Sequence, residues 1–359
     1  MRIAVLGAGA GGASAVVELT QRGIATRLWN RSAATLAPMI EAGGVRYEGV
    51  LGSGLATPEL ISAELGQVIE GAAGVLICLP TSAHGGVAES LAQIGIVLPP
   101  VVLNPGHTGG GLEFRATFRR KGMAEPPSAE FSTLTYVARK PAPDRVRITG
   151  VARSVHAAAL PGGAAALDLA RELFPAARPV ADVLATGLSN VNMVLHPPGA
   201  ILGAAWVEAT RGAFTFYVEG LSDGVARVME ALDAERQRVG AAFGHSLPGL
   251  FEEMQAIGTI EAGADRAAGL GAAVRGGEAN RRIRAPDSLS HRYYVEDFWF
   301  GLKPFLEFAR IAEVQTPVAA ALFTLGQTLV GGSRVEGRSA ERMGIADMSK
   351  RQLLEFVRS

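Results

Sequence analysis

The stretch RIAVLGAGAGGASAVVELTQRG, Arg2 to Gly23, decides the fold. A short apolar run, Ile3-Ala4-Val5-Leu6, stops at Gly7, and a helical pattern carried by Ala13, Val16, Val17 and Leu19 begins soon after. This predicts a strand, a glycine turn and a helix. Gly7, Gly9 and Gly12 fit G-x-G-x-x-G: the first glycine permits the tight turn, the second lets backbone approach a pyrophosphate, and the third lets helix and strand pack closely. The helix N-terminus then offers N–H groups and positive dipole to phosphate. Turns use glycine triplets for other reasons too. Between an apolar strand and an amphipathic helix, this triplet predicts a dinucleotide site built on Gly7, Gly9, Ala10, Gly11 and Gly12.

About 20 residues further on, an Asp or Glu would bond the ribose 2′-hydroxyl of NAD. Here Ala25-Thr26-Arg27-Leu28-Trp29 runs into Asn30-Arg31-Ser32, with no acid. Asn30 and Ser32 offer hydrogen bonds to a phosphate, and Arg31 offers charge-assisted bonds and stacking on adenine. The expectation is NADP in preference to NAD. The competing role for Arg31 is an exposed start to the next helix.

At 359 residues the chain has room for two domains and a substantial core. Its 34 basic and 34 acidic residues cancel, so no overall field recruits nucleic acid or an anionic membrane. The sole cysteine, Cys78, excludes an internal disulfide framework, and its place in Val75-Leu76-Ile77-Cys78-Leu79 predicts a buried thiol. The apolar start lacks a cleavage pattern, and a reducing cytoplasm is the expected compartment. Val183 to Val207 is 25 residues without Lys, Arg, Asp or Glu, long enough to span a bilayer. It nevertheless holds Asn190, Asn192, His196 and Pro197-Pro198, which suit a buried helix carrying a site better than a membrane span.

Along the chain, helices are predicted over 33–42, 61–70 and 112–121, with Val45 to Val50 an exposed hairpin arm. Strands are predicted at Val75 to Leu79, Val101 to Leu103, Ser128 to Leu134 and Val146 to Ile148, with Pro141-Ala142-Pro143 as a turn. Ligands in open α/β sheets sit at the carboxyl ends of strands, so Leu79, Pro80 and Asn104 are expected to face the cofactor; ordinary strand exits are the competing reading. The alternation implies a doubly wound parallel sheet. Beyond it, helical spacing fills 163–173, 183–208, 220–243 and 348–357, the last with Ser349 and Gln352 as a capping box. Phe174 to Pro179, with two prolines, reads as a linker. The expected organisation is an α/β Rossmann domain over 1–178 and an all-helical substrate domain over 179–359. An exposed apolar helix in the second would support a homodimer.

A dinucleotide domain followed by a helical one suggests a dehydrogenase, which needs a proton partner near the carbon being reduced. Histidine suits this at neutral pH, and His84, His107, His156, His196, His245 and His291 compete. His196 is the ionisable group inside the uncharged stretch, one helical turn after Asn192; on composition alone a satisfied core histidine fits as well. Asp297 enters the aromatic run Phe298-Trp299-Phe300, where burial without a partner is expensive. Paired with His196 it would fix the tautomer and stabilise the imidazolium. Arg292 suits a substrate carboxylate, or a salt bridge to Glu296 or Asp297. No metal is expected.

At these residues the chain resembles the opine dehydrogenase family, the octopine and nopaline dehydrogenase group, and especially its bacterial members. The resemblance is carried by Leu103-Asn-Pro-Gly-His-Thr-Gly-Gly-Gly-Leu-Glu-Phe114, Leu188-Ser-Asn-Val-Asn-Met-Val-Leu-His196-Pro, Tyr217-Val-Glu-Gly220, Asp233-Ala-Glu-Arg236, Arg292-Tyr-Tyr-Val-Glu-Asp297 and Thr316-Pro317. It implies a catalytic pair on His196 and Asp297, with Asn192 and Arg292 near substrate. It also implies NAD(P)H-dependent condensation of an amino acid amine with a 2-oxo acid such as pyruvate to a secondary amine dicarboxylate. Asn30-Arg31 departs from relatives that look to carry an acid there, which bears on the cofactor. The arginines of 266–284 read as a solvated loop or as a holder of carboxylates. Two other functions stay open: a 2-oxo acid or 2-hydroxy acid dehydrogenase of the related two-domain group, and a non-catalytic NADP-sensing protein.

Overall fold

The computed structural model describes residues 1–278, 280–332 and 336–358. The chain divides into two compact units, one of Met1–Gly106, Gly110–Val183 and Arg358, the other of His107–Gly109 and Leu184–Val357.

The first unit is an α/β Rossmann domain. Its strands are β1 (Arg2–Leu6), β2 (Ala25–Trp29), β3 (Val45–Gly49), β4 (Gly54–Ala56), β5 (Leu60–Ser62), β6 (Gly74–Ile77), β7 (Val101–Leu103), β8 (Ser128–Phe131), β9 (Tyr136–Ala142), β10 (Arg145–Val151), β11 (Val155–Ala159) and β12 (Ala177–Pro179). Its helices are α1 (Ala10–Gln21), α2 (Ala33–Glu41), α3 (Leu65–Ile69), α4 (His84–Gln93), α5 (Gly110–Arg120) and α6 (Ala164–Leu173). The main sheet has the order β12-β11-β8-β7-β6-β1-β2-β5, parallel throughout except where β11 meets β8. Strand order reverses between β1 and β6, and that switch point is where α/β sheets open a ligand crevice. Side chains alternate across β1: Ile3 and Val5 join the core formed with α1 and α6, while Ala4 and Leu6 join the core formed with α4 and α5.

A second sheet, β4-β3-β10-β9, covers α1. The sequence does not predict it as a sheet, and it displaces the expected turn at 141–143: Pro141 lies inside β9, which tolerates proline because β9 is an edge strand. The helix expected over 61–70 is also corrected. Leu60–Ser62 pairs with β2 as a sheet edge, Ser62 Oγ accepts the Glu64 N–H at 3.0 Å, and only Leu65–Ile69 is helical. Phe174 to Pro179 is likewise no linker, since Ala177–Pro179 pairs in parallel with β11. The first unit therefore runs on to Val183, past the boundary expected at 178.

The second unit is helical: α7 (Val183–Leu188), α8 (Asn192–Leu202), α9 (Ala204–Thr210), α10 (Asp223–Ala242), α11 (Leu250–Ile257), α12 (Gly269–Gly276), α13 (Arg292–Asp297), α14 (Lys303–Ile311), α15 (Pro317–Leu329), α16 (Ala340–Met343) and α17 (Lys350–Arg358). The single helix expected over 183–208 is three, interrupted at 189–191 and at Gly203. Among the described residues no helix is long and apolar enough to cross a membrane. Ser349 and Gln352 exchange the bonds of a capping box before α17.

Cys78 is buried beside the glycine turn, and burial pushes its thiol up to about 12. The thiolate is the reactive form. Titration with a thiol reagent should leave it unmodified in native protein and modify it fully in denaturant; rapid native labelling would contradict this burial.

Candidate active site

The candidate site of the first unit is the glycine turn. Gly7 has φ +119°, and a Cβ there would lie 2.4 Å from the Cys78 carbonyl oxygen. A Cβ on Gly12 would lie 1.8 Å from the Gly7 carbonyl oxygen, so α1 packs against β1 at a distance that only glycine permits. Gly9, the exposed N-cap of α1, has nothing within 4 Å of where its Cβ would stand. Ala10 and Gly11 are half-buried in the first turn, which carries no acid. The open N-terminus of a twelve-residue helix, reached over a turn without side chains, fits a dinucleotide pyrophosphate.

The flanking residues behave differently from one another. Asn30 Oδ1 accepts the Ala8 N–H at 3.4 Å, so this side chain ties the turn to the end of β2. Ser32 Oγ accepts the Thr35 N–H at 3.3 Å and caps α2, while Arg31 is exposed. Leu79 lies against Gly7, and Pro80 is exposed. Asn104 turns inward: its amide donates to Thr135 Oγ1 at 2.9 Å and accepts the Thr135 N–H at 3.2 Å.

The second unit carries a candidate site of its own, among the helices. His196, on α8, and Asp297, the last residue of α13, are 3% and 4% exposed, with Nδ1 and Oδ2 2.7 Å apart. A carboxylate only accepts, so we assign the proton to Nδ1–H, donated to Asp297. Nε2 then accepts the Tyr217 hydroxyl at 2.7 Å. Tyr293 stacks on the imidazole with centroids 3.8 Å apart and planes 18° apart, and Phe216 meets it edge-on. Burial pushes the Asp297 carboxyl well above its usual value, Glu296 pushes the same way, and Arg292 and His107 oppose. A lone carboxylate would cost several kcal/mol here, so the pair keeps a proton between Nδ1 and Oδ2. Burial, reinforced by Tyr293, also holds the Tyr217 phenol in its protonated form.

Local structure explains why these groups meet. His291 caps α13 by accepting the Tyr293 N–H at 3.3 Å, and a π-helical turn, Phe298–Leu302, follows Asp297 at once. Tyr294 donates to the Ala200 carbonyl oxygen at 2.7 Å, fastening α13 to α8. Tyr217 sits in a loop pinned by a bridge between Thr215 and Arg284. That bridge gives one of the arginines of 266–284 a structural place; Arg266 pairs with Glu252 and Arg275 with Asp223.

Asn192 opens α8, half-buried, its N–H donated to Asn190 Oδ1 at 3.2 Å. Arg292 is exposed, with its guanidinium carbon 5.6 Å from the Tyr293 ring centroid. Sequence reasoning missed Tyr217 and Tyr293. Both stand in motifs quoted above, yet nothing in their spacing points to the imidazole. Among the described residues no group of three or more His, Cys, Asp or Glu could hold a metal ion.

Residues 179–330 match the family model described as NAD/NADP octopine/nopaline dehydrogenase, alpha-helical domain. An opine dehydrogenase of Arthrobacter sp. (strain 1C) is 32% identical over 349 residues, covering 96% of each chain. The chain belongs to the opine dehydrogenase family. It is thus an NAD(P)-dependent oxidoreductase acting on CH–NH bonds. The fold agrees with two solved opine dehydrogenases. Octopine dehydrogenase in complex with NADH and agmatine superposes with a TM-score of 0.78 at 20% identity, covering 99% of this chain and 98% of that one. NADP+-bound yersinopine dehydrogenase gives 0.75 at 14% identity, covering 98% and 99%.

The Asp297 geometry makes a signed prediction. An ordinary carboxyl loses its proton near pH ~4. Asp297 holds its proton to higher pH folded than unfolded, so its stabilising contribution is complete below that value and fades as pH rises through the folded one. Asp297→Asn abolishes this titration. As pH rises above about 4, the Tm of the variant should gain on that of wild type, and its activity should be lower. A Tm difference that does not change with pH would overturn the reading.

Proposed function

We propose that this opine dehydrogenase joins the amine of an amino acid to a 2-oxo acid such as pyruvate, using NADPH in preference to NADH, and runs the reverse oxidation. The observation that carries the reading is the buried Asp297–His196 pair, whose Nε2 already holds a protonated hydroxyl. Octopine dehydrogenase has been solved with NADH and L-arginine and with NADH and pyruvate, which supports this substrate pair.

The chemistry needs three services. Two substrates, each with a carboxylate, must be held together; Arg292 suits one carboxylate by bidentate bonding and Asn192 adds a hydrogen bond. A proton must move as the carbinolamine loses water to give the imine, and again at the nitrogen of the secondary amine. His196 Nε2 exchanges those protons while the Nδ1–H bond to Asp297 keeps the ring oriented and basic. Tyr217 occupies Nε2 in the structure, so the substrate's proton takes the place of the phenol's. The bound dinucleotide supplies or accepts hydride. Gly7, Gly9, Ala10, Gly11 and Gly12 would hold its pyrophosphate, Leu79 and Pro80 would flank it, and Asn104 would shape the neighbouring strand end.

Two finer points belong to the same proposal. A reducing cytoplasm is the compartment that a single buried thiol suits. A homodimer through the second unit is supported by the exposure of Leu202, Trp206 and Leu325.

NADPH oxidation should require both an amino acid and a 2-oxo acid. Turnover with the 2-oxo acid alone would favour a hydroxy acid dehydrogenase, and turnover with neither would favour a nucleotide sensor. His196→Ala should cut kcat by ~10²–10⁴ with unchanged cofactor affinity. Tyr217→Phe leaves the pair with Asp297 intact, so in the same assay its loss should fall well short of that of His196→Ala; an equal loss would contradict the assignment of Nε2.

A further inference from the structure

Strand β9 is held on the helix that follows the glycine turn. Tyr136, at its start, is buried and donates its hydroxyl to Glu18 Oε2 of α1 at 2.7 Å, and its ring meets Phe174 edge-on at 5.9 Å. Side chains alternate along a strand, so Tyr136, Ala138 and Lys140 share the face toward α1 while Arg139 is exposed. The ammonium of Lys140 is thereby drawn inward. Its Nζ donates to the Ala8 carbonyl oxygen, inside the glycine turn, at 3.1 Å. The N–H of that same Ala8 donates to Asn30 Oδ1 at the end of β2. One residue of the turn therefore has a cation on one side and the ribose-reading end of β2 on the other.

The charge there is unmatched. Among the described residues Lys140 has no ion-pair partner, and Asp144, the acid whose influence it feels, is paired with Arg46 at 3.0 Å. A single carbonyl uses one of the three N–H donors of an ammonium. Asn30, where many NAD-binding turns carry an acid, adds no negative charge to repel an anion. Arg31, next along, is exposed and makes no ion pair among the described residues.

We infer that Lys140 and Arg31 form the subsite for the 2′-phosphate of the cofactor, so that nucleotide choice depends on a strand of the second sheet as well as on the residues closing β2. The inference rests on the dinucleotide reading above. It extends that reading to a residue that no turn motif contains. Lys140 supplies a compact charge with rotatable donors and Arg31 a planar fork, a combination suited to a phosphate dianion.

Equilibrium binding to the full chain, followed by nucleotide fluorescence or calorimetry without substrates, tests this. The probes are NADPH, NADH, adenosine 2′,5′-bisphosphate and 5′-AMP. Lys140→Met should weaken NADPH and the bisphosphate about 10- to 100-fold, the range for losing a hydrogen bond to a charged group, and leave NADH and 5′-AMP within about 3-fold. Lys140→Arg should restore most of the loss, and retained NADH binding reports that the variants are folded. Equal loss of both dinucleotides means that Lys140 only shapes the turn, and overturns the subsite. Unchanged NADPH binding overturns it too. Wild-type protein that binds neither dinucleotide would sink the cofactor reading and the subsite together, a pattern distinct from either.

Discussion

A carboxyl group sealed away from water must find a donor or give up its charge, and the need of Asp297 orders the centre of the second unit. Its place is set at the end of a short helix, and a π-helical turn of buried residues, Phe298–Leu302, follows at once. The donor comes from α8, a helix that continues through Pro197-Pro198 and keeps His196 almost wholly buried. Tyr293 covers one face of the imidazole, which leaves in-plane bonds at the two nitrogens as its polar contacts. Each constraint narrows the freedom of the ring, and a ring so held can exchange protons without first being reoriented.

The first unit obeys a different constraint, that of backbone proximity. Gly7 and Gly12 are demanded by carbonyl oxygens of the fold itself, whereas Gly9 answers to nothing inside the protein and leaves space at the helix N-terminus. That contrast separates glycines that build the turn from the one that leaves room for a ligand. Asn30 then works as a tether between turn and strand.

How much of this could be read beforehand depends on how local the determining contacts are. The strand, turn and helix of Arg2 to Gly23 were legible because their periodicity and glycine spacing lie within one short window. The pairing of His196 with Asp297 was legible for another reason: both are ionisable groups in apolar surroundings, and burial requires each to have a partner. The second sheet was hidden. Strand β10 pairs in parallel with β3, matching Arg145 to Arg46, and no local pattern reports a partner that distant. Strand β12 reads as a linker in sequence because prolines usually interrupt structure, and an edge position removes that objection. Tyr217 was out of reach because its loop is shaped by the distant bridge to Arg284, so nothing in its own neighbourhood points at a histidine.

The short segment His107–Gly109 belongs to the helical unit although the chain on either side of it belongs to the other. Arg338, fully buried, donates to the Thr108 carbonyl oxygen at 2.8 Å, and Asn190 donates to the Thr108 hydroxyl at 3.1 Å. A fragment beginning at residue 179 would thus take the Thr108 carbonyl from a buried guanidinium, leaving it the longer bond to the Phe300 carbonyl oxygen at 3.3 Å, and take the Thr108 hydroxyl from the Asn190 amide. The helical half is a module in sequence catalogues but not a separable piece of matter, and anyone grafting it onto another scaffold must carry those three residues along.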